Sequence, residues 1–308
     1  MLKDMPAGHV LVLLLMVALV IAVITSCAQP AAAPVVKWER MDSRTSDYLL
    51  SVWGTSGSDV FAVGFNGAIL HYDGKAWEGM HSGTEAWLLG IWGSLPSNVI
   101  AAGQTGTLLK YDGRMWNPLR SGTGLDLWGA WGSSAGDIYV PRQDGVLMHF
   151  TGTAWETPAL PSHEILRDGW RTPDGGWLVV GHNGTLLRYD GKTWSTLESV
   201  TKSNLYGIWG ASTDDIFIVG HDGTVLHYDG TAWGVMDSGT FEPLLDVWGT
   251  SGRDVYAVGD HGAMIHYDGK LWSKVETGLT GTLHGIWGST RGEMFVVGRE
   301  GVILSKRE

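Results

Sequence analysis

Seven tryptophans, Trp53, Trp92, Trp131, Trp170, Trp209, Trp248 and Trp287, recur at one constant interval with no insertion or deletion between them. The stretches around them repeat almost letter for letter. "LLSVWGTSGSDVFAVGFNGAILHYDGKAW", Leu49 to Trp77, returns as "LLDVWGTSGRDVYAVGDHGAMIHYDGKLW", Leu244 to Trp272. A unit of about 40 residues cannot cover both of its own faces, so it must stack against copies of itself.

Each copy reads as four short strands. In the first they are "LLSVW", "DVFAVG", "AILHYD" and "AWEGM", separated by "GTSGS", by Phe65-Asn66 between Gly64 and Gly67, and by Asp73-Gly74. These separators carry strong turn chemistry. The 45 glycines lack the strict Gly-X-Y period, so they belong to turns rather than to collagen. Helical spacing is absent from Val35 onward. The pattern predicts an all-β, seven-bladed β-propeller built from four-stranded blades.

A second tryptophan follows each of the first six at a second constant interval, at Trp77, Trp116, Trp155, Trp194, Trp233 and Trp272. The seventh would fall past Glu308. Trp38 stands as far ahead of Trp53 as Trp77 stands ahead of Trp92. "VVKWERM" is therefore expected to supply the last blade's fourth strand, pair with residues 302–306 and close the ring, which removes two exposed sheet edges. A monomer is expected.

The chain ahead of Val35 reads differently. Val10 to Ile24 is an unbroken apolar run with Lys3 ahead of it. It is shorter than the roughly 20 residues of a membrane-spanning helix and fits a secretory signal better. "ITSC", Ile24 to Cys27, resembles a bacterial lipoprotein lipobox. The resemblance implies cleavage before Cys27 and lipidation of its sulfur. An uncleaved anchor helix is the other reading. The expected divisions are a signal peptide over 1–26, a lipidated Cys27 with a Pro/Ala-rich spacer over 27–34, and the propeller over 35–308. Both readings place the propeller outside the cytoplasm, at the cell envelope. Cys27 is the single cysteine, which excludes an internal disulfide and any multi-cysteine metal site.

The repeated "WG-S-DVFAVG--G-ILHYDG--W---SGT" resembles bacterial exported propellers of the BNR/Asp-box-related kind. It is more distantly similar to photosystem II assembly/stability-factor propellers, some of them lipoproteins. The resemblance covers Val35 to Glu308 and implies the fold, while the function classes it spans include assembly factors, lectins and glycosidases. The Asp-box itself is matched in part, by Asp73-Gly74 with Trp77 and their equivalents.

Most motifs have a structural reading that outweighs a chemical one. Asp73-Gly74, Asp112-Gly113, Asp190-Gly191, Asp229-Gly230 and Asp268-Gly269 read as turns in which the aspartate accepts backbone N–H groups, not as calcium ligands. The repeat tryptophans read as packing between blades rather than sugar platforms. His71, His149, His227 and His266 recur at one strand position and form a polar, partly exposed row. His182, His221 and His261 lie in turns too far apart to share a metal. No metal or cofactor is expected. There is no His-Glu-x-x-His, Cys-x-x-Cys, phosphate loop or nucleophile elbow, so the chain reads as a non-enzyme. A net charge of −11 with no basic run argues against nucleic acid.

Function should then lie where the copies differ. Every copy carries a leucine four residues ahead of its Trp-Gly tryptophan or the equivalent, from Leu49 to Leu283, and the positions on either side of that leucine diverge. Strand alternation puts those two positions on one face, at the mouth of the central channel. The candidate binding residues are Tyr48, Trp87, Asp126, Trp128, Arg167, Tyr206 and His284. The expected partner is a protein or peptide. A carbohydrate, bound by a lectin-like propeller or a polysaccharide-active enzyme, is the alternative. The third and fourth copies depart most, with Pro141-Arg142 and "ILRDGWRTPDGGW".

Overall fold

The computed structural model describes residues 37–306. Cys27, the signal segment and the spacer lie outside the described residues. The described chain forms seven antiparallel sheets of four strands each. We number the blades by their innermost strands in chain order.

In blade one the strands run Leu49–Ser56, Asp59–Gly64, Ile69–Tyr72 and Trp77–Gly79 from the axis outward. Trp53 stands opposite Phe61, and Tyr72 opposite Trp77. The second strand is buried from Val60 to Gly64. Blades pack on both of its faces, which is why "DVFAVG" reads as a continuous apolar run instead of alternating.

The ring closes as the spacing predicted. Glu39–Met41 pairs antiparallel with Ile303–Lys306, Glu39 opposite Ser305 and Met41 opposite Ile303. Trp38 meets Tyr256 edge-on, ring centroids 5.5 Å apart. Lys306 stands where blade one has Tyr72, and it is 4% exposed. Its ammonium is compensated by Asp254 Oδ2 at 3.7 Å and by the Tyr256 hydroxyl at 3.3 Å, as a buried charge requires.

The Trp-Gly pair explains how blades fit together. A Cβ built on Gly93 would lie 2.5 Å from the Trp53 ring of the previous blade. Gly132 stands in the same way under Trp92, Gly210 under Trp170, Gly249 under Trp209 and Gly288 under Trp248. Each indole fills the space that its neighbour's missing side chain leaves. Blade four keeps the contact by exchanging positions. Arg171 replaces the usual glycine, but Gly169, on the other side of Trp170, takes an aliphatic residue's place and lies 2.5 Å from the Trp131 ring by the same measure. Trp177 takes the place of a valine, 3% exposed against Tyr139 at 5.4 Å.

The turn joining second and third strands is a 3-10 turn rather than a two-residue hairpin loop, with Asn66 at φ 55°. In the Asp-Gly turns, Asp73 Oδ1 accepts the N–H of Lys75 at 2.8 Å and of Ala76 at 3.0 Å. These bonds hold its carboxyl below the usual range.

The histidine row is more than a polar surface. His71, His149, His227 and His266 each place Nε2 2.7 Å from an aspartate, Asp59, Asp137, Asp215 and Asp254 in turn. The rings stack on Phe61, Tyr139, Phe217 and Tyr256, and the Thr55 hydroxyl donates to the other oxygen of Asp59. These histidines clamp the second and third strands.

Blade three departs from the plan. Its innermost strand is confined to Trp131–Ser134, and Leu127 makes an isolated bridge to Arg142. Pro141 replaces a valine there and has no N–H to donate to the ladder. Trp128 instead donates its own N–H to the Pro141 carbonyl at 2.9 Å.

Candidate functional site at the channel mouth

A cavity of about 530 Å³ runs along the propeller axis, lined by the innermost strands of all seven blades. Its walls are set by a β-bulge. In blade one Leu49 pairs with Gly64 and Ser51 with Val63, so Leu50 is an extra, unpaired residue. The same shift occurs in every blade but the third. A bulge re-aims side chains. The residue after the leucine reaches the channel in every blade: Leu50, Leu89, Trp128, Arg167, Tyr206, Leu245 and His284 all line it.

The other variable position behaves differently. Trp87 and Asp126 reach the cavity wall, whereas Tyr48 sits on the rim and is not among the lining residues. Simple alternation put both positions on one face, and the bulge between them separates the two. Tyr48 packs on Phe65 at 4.9 Å, and Phe65 stacks face to face with Trp87 at 3.7 Å. The Arg299 guanidinium lies 5.2 Å from the Tyr48 ring. Trp87 remains 38% exposed. Asp126 accepts the N–H of Thr105 at 2.9 Å and donates its own N–H to Gln143 at 3.0 Å, tying the rim of blade two to blade three.

Three candidates from consecutive blades come together. Arg167 Cζ lies 4.4 Å from the Trp128 ring centroid and 5.5 Å from that of Tyr206. The guanidinium is thus flanked by two aromatic rings. Its nitrogens make no hydrogen bond or ion pair among the described residues. Burial lowers its pKa, yet an arginine stays charged in such a site. His284 is on the far side of the ring. Its Nε2 is buried without a partner, and burial pushes the imidazole down to about 4, which leaves it neutral at pH 7.

Below the mouth lie two carboxylates that the sequence reading missed. Asp168 Oδ2 accepts the Ile208 N–H at 3.0 Å, and Asp246 Oδ2 accepts the Ile286 N–H at 2.8 Å. Each aspartate therefore braces the next blade, as the Ser51 hydroxyl does for Ile91 at 3.3 Å. Both residues line the channel and are half-buried, but protein surrounds their carboxyl groups, and that enclosure governs their ionisation. Asp246 is pushed up to about 8 by burial first and by the charge of Asp168 second, and burial also raises Asp168.

Phe65 and Gln104 also line the cavity and were missed. Their turn position varies from copy to copy, through Phe65, Gln104, His182, Asp260 and Arg299, and that divergence was the available signal. The turn histidines stay apart: His261 pairs with Glu242 at 2.7 Å and His221 with Asp222 at 2.9 Å. Among the described residues no group of three or more His, Cys, Asp or Glu comes together as a metal site would need.

No protein-family model and no curated protein sequence matches the chain. The Asp-box likeness therefore remains a likeness of pattern. Among solved structures, YCF48 bound to D1 peptide superposes with a TM-score of 0.73 at 17% identity, over 91% of this chain and 99% of that one. YCF48 from Cyanidioschyzon merolae gives 0.71 at 16% identity, over 88% and 98%. The WD40 β-propeller domain of Doa1 gives 0.73 at 9% identity, over 89% and 97%. At such identities the likeness is one of fold, and the chain is a seven-bladed β-propeller of that architecture.

Proposed function

We propose that this chain is a lipid-anchored, extracytoplasmic binding propeller that recognises a protein or peptide at the mouth of its central channel, without catalysing a reaction. The observation that carries the reading is the Trp128–Arg167–Tyr206 stack. Three positions that the repeat leaves free to vary converge there, where a shared scaffold needs no such side chains. An aromatic-lined cavity with a few polar groups is the usual form of a binding site. That YCF48, a propeller of the same architecture, has been solved with a D1 peptide supports a peptide ligand. Anchoring rests on the Ile24–Cys27 motif alone. The role would be that of a scaffold in envelope complex assembly.

A carbohydrate reading draws on one observation, the exposed Trp87 backed by Phe65. Crosslinking and affinity purification from native membranes separates the two. Recovery of a defined protein through the mouth residues supports our reading, and binding confined to glycans supports the other.

A further inference from the structure

The channel contains one cation, Arg167, that has no direct hydrogen bond or ion pair among the described residues. Arg167 is the one Lys or Arg among the residues lining the cavity. Its Cζ lies over the Trp128 ring at 4.4 Å and over the Tyr206 ring at 5.5 Å, so two aromatic rings confine the guanidinium. The guanidinium N–H donors make no hydrogen bond or ion pair among the described residues, and the side chain lines the channel. A guanidinium pre-oriented in this way presents parallel N–H groups that match a planar, two-oxygen acceptor. The neighbouring carboxylate makes no direct ion pair with it: Asp168 Oδ1 accepts the Gly169 N–H and Oδ2 the Ile208 N–H.

We propose that Arg167 is the anchor for a single carboxylate of the bound partner, held bidentately between Trp128 and Tyr206. The inference rests on the mouth reading above and names the chemistry that the mouth selects. The rest of the channel favours a monoanion over a phosphate. His284 is neutral and adds no positive charge, and Asp168 and Asp246 lie deeper in the same cavity. A dianion would meet a single cation, whereas the one charge of a carboxylate matches that one fork. The aromatic surface from Trp87 to Phe65 suits an apolar or aromatic residue beside that carboxylate.

The carboxylate is either a chain terminus or an acidic side chain, and the test separates these. Isothermal titration of the full chain in detergent would use three N-acetylated tripeptides. One is Ala-Phe-Ala with a free C-terminal carboxylate, one is amidated Ala-Phe-Asp, and one is amidated Ala-Phe-Asn with no carboxylate. At least one acidic peptide should bind about tenfold or more tightly than the neutral one. That preference should vanish in Arg167→Met, which retains apolar bulk between the rings, and weaken in Arg167→Lys, which retains charge without the fork. Thermal unfolding of both variants shows whether the fold is retained. Equal binding of all three peptides overturns the carboxylate anchor and leaves the mouth reading standing. A preference that survives in Arg167→Met likewise overturns it. No binding of any peptide, together with unchanged partner capture by mouth variants, overturns both.

Discussion

The indole of Trp287, in the last blade, fills the space over Gly54 of the first, 2.9 Å from where a Cβ on that glycine would stand. This contact joins the two ends of the repeat array and has the same form as the contact of Trp53 with Gly93. The seam is therefore packed like the other Trp-Gly interfaces of the ring. A closed ring of equivalent joints has no weak terminal blade, which an open array would have.

Gly54→Val should consequently be costly. The branched side chain would collide with the Trp287 ring and with the Asp59 carbonyl, 2.7 Å from a Cβ at that position. Overpacking of this kind destabilises by about 1–3 kcal/mol. Urea unfolding would reveal a lower midpoint, and an unchanged one would show that the seam is loose.

Asp246 gives a prediction about pH. Its folded-state pKa of about 8 lies above the ordinary 3.8, so the folded chain keeps a proton that the unfolded chain releases. The contribution to stability is intact below the unfolded value and is lost as pH rises through about 8. Asp246→Ser can still accept the Ile286 N–H, as Ser51 does for Ile91. Wild type should lose more than about 1 kcal/mol relative to this variant between pH 5 and pH 9, since each pKa unit is worth about 1.4 kcal/mol. A stability difference that stays flat across that range would contradict the raised pKa.

The repeat made the blades, their number and the ring closure legible, because one period fixes strand count and the displaced Trp38 shows where the array wraps. It also pointed to the leucine-flanking positions. What the pattern concealed was the bulge at Leu50 and its equivalents. Strict alternation assumes an uninterrupted ladder, and the unpaired residue in every blade but the third brings Ser51, Asp168 and Asp246 to the channel while moving Tyr48 to the rim. The pairing of His227 with Asp215 was hidden for another reason. The two sit on adjacent strands at a separation of 12 in sequence, and no local spacing announces such a contact. Loss of the His227 side chain would therefore unclamp two strands.

The anchor is testable apart from the propeller. Cys27→Ala should abolish incorporation of labelled palmitate and leave the chain uncleaved after Ser26. Labelling that persists in the variant would contradict the lipobox reading.

The central claim is that the channel mouth captures the partner, and affinity capture from native membranes with single variants measures it. Trp128→Ala and Arg167→Ala should each weaken capture by roughly thirtyfold, equivalent to about 2 kcal/mol for an interface anchor. Trp87→Ala should act in the same direction. Val235→Ser and Leu271→Ser, at exposed positions on and beside outer strands, should capture like wild type. If the three mouth variants instead recovered the same partner at wild-type yield, while His182→Ala and His221→Ala on the turns lost it, recognition would lie on the rim and the account would be wrong.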